Sequence, residues 1–486
     1  MKKPLGIYVH IPFCIRKCLY CDFLSFPAEE TVKERYIKAL LEEIEAAPVK
    51  FSFDPSEYEV KTIYIGGGTP SCVNEVYINK ILCKLNETFF YKKQVSPEKT
   101  EDLNITQNRN KAENYKTAPN RDKTETFTKT DACKRADKCI NADNKEHEVI
   151  TEQKEAGEPD SGRNLRKQMI RERDQGIEIT IEVNPNTAEY EKFLSYKNAG
   201  INRISIGLQS ADDEELKMLG RLHTWEEFLS CYEAAERAGF SNINVDIMTA
   251  LPGQKEETLR DTLCKLTQLS PSHISAYSLI LEEGTTFFEM YGKDAGGHFK
   301  KTVETADGLN NRKKAVLPSE EEERALYYLV RDELKRHGYN RYEISNFARE
   351  GYESRHNTSY WKRVPYLGLG LGASGLINEV RYKNTTDMNT YLANSASPGF
   401  FEEEICLSLT DRMEETMFLG LRMSEGVSKA AFSDCYSKSM DEVYGRVLDK
   451  LEKEELILNT AERAALTDKG IDYGNYVFSR FLGSAV

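Results

Sequence analysis

Three cysteines, Cys14, Cys18 and Cys21, stand in the run Cys14-Ile-Arg-Lys-Cys18-Leu-Tyr-Cys21. Thiolates this close together, in a chain with no secretory pattern, point to a metal centre rather than to disulfides. A [4Fe-4S] cubane normally takes four cysteine ligands, so three would leave one iron open for a small molecule to chelate. The rival is a structural zinc site with His10 as fourth ligand. Such sites usually pair two short knuckles, and no second knuckle follows here at an ordinary distance, which favours the cluster.

The elements around this loop repeat a pattern. Gly6 to His10 reads as a short strand, and Val32, Tyr36, Leu40 and Ile44 give helical spacing between Ala28 and Ala47. A second strand, Val60 to Ile65, ends in Gly66-Gly67-Gly68-Thr69-Pro70 and leads into a helix to about Phe90. Further strands are expected at Glu178 to Val183, Arg203 to Leu208, Asn242 to Met248 and His273 to Leu281, with helical stretches between them. Six strands in β/α alternation imply parallel pairing with right-handed crossovers. The cysteines follow strand one and the glycines strand two. Glu182 ends strand three, Gln209 ends strand four, Asp246 lies near the end of strand five, and Tyr277 is in strand six. Active sites of β/α barrels lie at the C-terminal ends of the strands, so these residues should share one mouth.

The Cys-x3-Cys-x2-Cys spacing, with Tyr20 before the last cysteine, is the signature of the radical SAM superfamily. The flanking Gly6-Ile-Tyr-Val-His-Ile-Pro-Phe-Cys14 and Cys21-Asp-Phe23 resemble the branch that holds the oxygen-independent coproporphyrinogen III oxidases and the HemW-type heme chaperones. The resemblance implies that Cys14, Cys18 and Cys21 hold a [4Fe-4S] cluster. It also implies that Tyr8, Tyr20, Gly66, Gly67, Gly68, Thr69, Glu182, Gln209, Arg221 and Asp246 line an S-adenosyl-L-methionine pocket, with the Gly-Gly-Gly-Thr-Pro loop at the methionyl amino group. Arg221 enters through Gly220-Arg-Leu-His223, which matches the family. Ser354-Arg-His356-Asn-Thr-Ser-Tyr360-Trp361 resembles the heme-binding motif of the chaperones, which makes His356 the expected heme contact. The glycine-rich Leu367 to Gly375 that follows is expected to be flexible enough to wrap a ligand. The oxidases carry a further cysteine two positions after the third cluster ligand, where this chain has Phe23, and a long N-terminal extension that is not seen here. Both departures favour the chaperone.

The fold class implied is α/β: a partial (β/α)6 radical SAM barrel with a mainly helical, winged-helix-like C-terminal domain. The expected divisions are a barrel over 1–290, a loop insertion over 291–318, a barrel-associated helix with the heme segment over 319–400, and the last domain over 401–486. Within the barrel, residues 91–175 turn polar and aperiodic and are expected to be a disordered insert. From about Glu402 onward helices are expected at Glu414 to Met423, Met440 to Leu451 and Asp468 to Phe478, with a hairpin between the last two. A net charge of -13 argues against nonspecific nucleic-acid binding, which needs clustered Lys and Arg. No apolar run reaches the length of a membrane span, and the eleven cysteines suit a reducing compartment, so a cytoplasmic protein is expected. Its expected partners are heme and an acceptor protein, with peripheral contact to membrane-bound acceptors.

Overall fold

The computed structural model describes residues 2–90, 176–292 and 315–484. The expected insert, with Cys133, Cys139 and His147, lies outside them, as do residues 293–314 with His298.

The barrel strands are β1 (Lys3–Ile11), β2 (Tyr58–Gly67), β3 (Glu178–Val183), β4 (Arg203–Gln209), β5 (Ile243–Thr249) and β6 (His273–Ser278). They pair in parallel in that order. The connecting helices are α1 (Glu30–Lys50), α2 (Glu75–Phe89), α3 (Tyr190–Asn198), α4 (Asp213–Met218), α5 (Trp225–Arg237) and α6 (Glu256–Leu269). The strands alternate apolar and polar faces, with a break in β2 between Val60 and Ile63, opposite the register shift at Leu5 and Gly6 of β1. Ile7, Val9, Ile63, Ile65, Ile181, Ile204, Ile206, Val245 and Ile274 are buried with Leu40, Ile44, Phe228 and Leu263 of the helices in one apolar core. The opposite face carries Thr62, Thr180, Arg203, Ser205, Asn244, His273 and Ser275, all buried and all polar. Helices cover the apolar face, so the polar one lines the lumen of the curved sheet.

The sheet runs well past six strands. Two short strands, β7 (Asn340–Arg341) and β8 (Asn346–Ala348), extend it beyond β6, after α7 (Thr286–Tyr291) and α8 (Glu320–Arg336). A short helix, α9 (Arg355–Trp361), comes next. Four strands then extend the other edge from β1: β9 (Tyr366–Leu369), parallel to β1, and the antiparallel β10 (Ser374–Ile377), β11 (Val380–Lys383) and β12 (Glu403–Cys406). Helix α10 (Met388–Asn394) lies between β11 and β12.

Two expectations fail here. The glycine-rich Leu367 to Gly375 is no flexible ligand wrap: it forms β9, a turn and β10, with Leu367, Leu369 and Leu371 in the core. Its glycines answer to packing, since a Cβ at Gly375 would meet the Tyr382 ring at 2.2 Å and one at Gly370 the Tyr36 hydroxyl at 2.6 Å. Residues just past the expected boundary at 401 also belong to the barrel, because β12 pairs along β11.

The C-terminal part starts with α11 (Leu409–Gly420) and continues through β13 (Val427–Ser428), α12 (Lys429–Tyr436), α13 (Met440–Lys453), β14 (Ile457–Asn459) and β15 (Arg463–Leu466). The expected last helix breaks at Tyr473 into α14 (Asp468–Asp472) and α15 (Gly474–Ser479). Its three strands pair in the order β13-β15-β14 over a separate core of Met417, Phe432, Tyr444, Leu448 and Val477, the helix-helix-hairpin plan of a winged helix. Among the described residues no helix is long and apolar enough to cross a membrane.

Candidate cofactor site at the barrel mouth

The cysteine loop is pinned at its base and at its tip. Cys14 N donates to Phe26 O at 3.1 Å and Phe26 N to Pro12 O at 3.0 Å, which closes the loop. At the tip Leu19 N donates to Leu219 O at 3.2 Å, and Leu19 packs with Tyr20 on a small apolar cluster of Leu219, Met248, Leu251 and Phe287. The three cysteines are half-buried free thiols.

Each glycine after β2 is required by a neighbour. A Cβ at Gly66 would meet Tyr64 at 2.8 Å and Glu182 at 3.1 Å. At Gly67, with φ of 117°, it would meet the His10 ring at 2.6 Å, and at Gly68 the Phe13 carbonyl at 2.7 Å and Cys14 Sγ at 3.0 Å. The triplet therefore lets three strand ends and the cysteine loop approach one another.

An arc of polar contacts then joins two of the cysteines. Cys14 Sγ lies 3.5 Å from Thr69 Oγ1, which accepts from Asn184 Nδ2 at 2.8 Å. Asn184 Oδ1 accepts from Arg221 Nη2 at 2.8 Å, and Arg221 Nη1 approaches Cys18 Sγ at 3.6 Å. Asn184 joins this arc without being among the expected site residues; the Asn-Pro pair directly after β3 is its signal in the sequence. Gln209 joins this group around Gly207, where a Cβ would meet Gln209 Nε2, Asn184 Oδ1 and Arg221 Nη2 within 3.0, 3.1 and 3.2 Å. A register shift between Gly207 and Gln209 and the left-handed backbone of Gln209, φ 75°, turn this side chain. Such strain gathers at functional sites.

The carboxylates lie deeper. Glu182 Oε1 accepts from the Tyr64 hydroxyl at 2.7 Å and Oε2 from Gly67 N at 3.1 Å. Burial, reinforced by the charge of Asp246, pushes its pKa up from 4.5 to about 7, against the pull of those two donors and of Arg203. Asp246 accepts from Ser205 and Asn244, and burial raises its pKa as well. Burial pushes the Cys21 thiol up to about 11 and raises the Tyr20 phenol, against the pull of Arg221. Tyr8 lies beside Tyr64, ring centroids 6.3 Å apart, with its hydroxyl 2.9 Å from His10 Nδ1.

The donor set fits the expected groups. Three free thiols on one loop suit a cluster held by thiolates, with a guanidinium at one sulfur and a hydroxyl at another. Among the described residues no three His, Cys, Asp or Glu side chains gather closely enough to hold a single ion. The buried Nε of Arg221 has no partner, which leaves one donor of this group unused. Carboxylates and amides there can bond ribose hydroxyls and an ammonium group.

His356 is the exception among the expected residues. It is 1% exposed, with Nδ1 2.8 Å from Thr62 Oγ1 and Nε2 2.7 Å from the Tyr360 hydroxyl. Both ring nitrogens are engaged below the mouth: a neutral imidazole carries one N–H and one lone pair, and in this structure the Thr62 and Tyr360 hydroxyls take up both. His10, His223 and His273 are buried too, and of the described histidines His337 alone has an exposed ring.

The radical SAM superfamily profile matches residues 113–266 and the HemN C-terminal domain profile residues 407–473; the cysteine loop lies outside both stretches. The heme chaperone HemW of Lactococcus lactis is 29% identical, covering 99% of this chain and 98% of that protein. HemW of Buchnera aphidicola (Schizaphis graminum) is 30% identical over 78% of this chain and 71% of that protein. Among solved structures, coproporphyrinogen III oxidase (HemN) from Escherichia coli superposes with a TM-score of 0.67 at 18% identity, covering 99% of this chain and 90% of that one, which speaks to the fold. The chain belongs to the HemW family of radical SAM proteins.

Proposed function

We propose that this protein is a heme chaperone, which binds heme and passes it to an acceptor protein. The observation that carries this reading is similarity to HemW proteins over nearly the whole length of both chains. Phe23, in place of the further cysteine of the oxidases, supports it.

In this reading Cys14, Cys18 and Cys21 hold a [4Fe-4S] cluster, and S-adenosyl-L-methionine chelates its open iron. The cluster, when bound, supplies an electron donor and a Lewis-acidic iron. Arg221 places positive charge beside Cys18. Thr69 and Asn184 fix the loop across from Cys14. Glu182 and Asp246 accept from ribose hydroxyls, Gln209 adds an amide, and Tyr20 closes the side next to the apolar cluster. The Gly66 to Thr69 backbone takes the methionyl amino group. All the described cysteines are free, as a reducing cytoplasm would keep them. The acceptor is a protein, soluble or reached at a membrane surface.

The test is anaerobic reconstitution with iron and sulfide, then separate addition of heme and of coproporphyrinogen III. Stable heme binding without vinyl-group formation is expected. Vinyl formation from coproporphyrinogen III would make the protein an oxidase instead.

A further inference from the structure

Helix α9 fills the floor of the lumen, at the opposite end from the cysteine loop. Its first turn is fastened to the sheet: Glu178, the first residue of β3, accepts from the amides of His356 at 3.1 Å and Arg355 at 3.2 Å. The Tyr342 hydroxyl accepts from Ser354 N at 3.2 Å. Its last turn is held from the C-terminal part, by Arg422 at 4.4 Å over the Trp361 ring and by Glu415 of α11, 2.8 Å from Arg363.

From this fixed helix a line of contacts runs up to the mouth. The His356 ring stacks on Tyr64, centroids 5.1 Å apart at 24°. Tyr64 is confined on its other sides by Tyr8 and by Gly66, where even a Cβ would come within 2.8 Å of the ring. Its hydroxyl reaches Glu182 Oε1, and the second oxygen of that carboxylate holds Gly67 N. Burial, with the charge of Arg203, lowers the pKa of His356 to about 3, so the ring is neutral at any working pH and acts by shape and hydrogen bonding.

We propose that His356 is a positioning residue for the S-adenosyl-L-methionine pocket: through the Tyr64 ring it holds the Glu182 carboxylate against Gly67, and the motif on α9 is the fitted floor of that pocket. This rests on the reading that Glu182 and the glycine loop bind S-adenosyl-L-methionine. Removing the His356 ring opens space beneath Tyr64, and a phenol free to tilt no longer fixes the carboxylate.

Two substitutions separate the ring from its hydrogen bonds. His356→Gln keeps polar atoms for Thr62 and Tyr360 but loses the ring; His356→Phe keeps a ring on Tyr64 but leaves both hydroxyls unpaired. Each is made in the full-length, cluster-loaded protein, and S-adenosyl-L-methionine affinity is measured by equilibrium dialysis beside cluster absorption and a hemin titration. His356→Gln and Tyr64→Phe should each weaken S-adenosyl-L-methionine binding about 10-fold, and the double variant no further, as expected of residues acting through one contact. His356→Phe should stay within about 3-fold of the parent in affinity despite a lower melting temperature. Unchanged affinity in His356→Gln, or effects that add in the double variant, would overturn the proposal, as would loss of hemin binding alone, which would return His356 to the heme. Should His356→Gln not fold, Tyr64→Phe alone decides, and unchanged affinity there overturns the proposal. A Glu182→Gln variant that binds S-adenosyl-L-methionine as the parent does would instead sink the underlying pocket reading.

Discussion

The mouth and the floor of the barrel are built from the same kinds of side chain and differ in what remains open. At the floor Glu178, Thr62, His356 and Tyr360 answer one another, buried and paired. At the mouth the thiols and Gln209 stand half-buried around a turned backbone, and the buried Arg221 Nε has no partner. Buried polar groups are almost always hydrogen-bonded, so a paired imidazole is spent on structure, whereas a donor without a partner is available to a ligand. The contrast holds for these side chains and not for every atom, since Arg203 Nε on the lumen face and Thr358 Oγ1 and Trp361 Nε1 on α9 are buried without partners as well.

The largest effect expected is at the mouth. Replacing Cys14, Cys18 or Cys21 by Ala should abolish the cluster absorption after anaerobic reconstitution while the far-ultraviolet circular dichroism stays that of the parent. Stoichiometric zinc with no iron in the parent would break the comparison, because the mouth would then be a structural site like the floor.

Glu182 offers a sharper test through its proton. In an unfolded chain its carboxyl ionises near 4.5, but in the fold it keeps its proton to about 7. The folded state thus binds the proton more tightly, and its contribution is complete below pH 4.5 and lost as pH rises toward 7. In the apo-protein Glu182→Gln should remove that slope and be more stable than the parent at pH 8 by about 1–3 kcal/mol, with partial exposure discounted. Urea unfolding across this range measures it. S-adenosyl-L-methionine affinity of the loaded parent should strengthen as pH rises through about 7, and that rise should be missing in Glu182→Gln. The groups facing Glu182, namely Tyr8, Tyr64, Arg203, Asp246 and Tyr360, are unchanged in the comparison.

At the floor, Thr62→Val leaves His356 Nδ1 without its partner and should cost about 1–3 kcal/mol in urea unfolding, with the cluster still formed. A loss of the cluster there would mean that floor and mouth are one cooperative unit. The smallest effect is expected from deleting residues 95–172 behind a short Gly/Ser bridge. Cluster and S-adenosyl-L-methionine binding should be unchanged, because loop closure depends only weakly on length. The superfamily profile match begins inside this stretch, so lost binding would assign it a structural part.

The alternation in the strands is legible in the sequence. Arg203-Ile-Ser-Ile-Gly-Leu-Gln209 and Glu178-Ile-Thr-Ile-Glu182-Val carry polar residues at alternate positions, with Gly207 the one exception, which in a parallel barrel means a largely polar lumen. Reading only strand ends found Glu182, Gln209 and Asp246 but not the hydrogen-bonded layers beneath them. The edge strands are less legible: β9 to β12 are only four residues each, β9 and β10 contain a glycine, and β9 pairs with β1, far away in the chain.

Local spacing by itself determined the cluster loop, the β/α order and the convergence of strand ends, because thiolate geometry and parallel crossovers are set within a few tens of residues. Only the tertiary structure decided what His356 touches. Whether an imidazole can meet an iron depends on who already holds its nitrogens, and here one holder, Thr62, lies 294 residues away along the chain. The other, Tyr360, stands one helical turn on, and the ring is sealed against Tyr64 by a sheet that no local pattern could place around it.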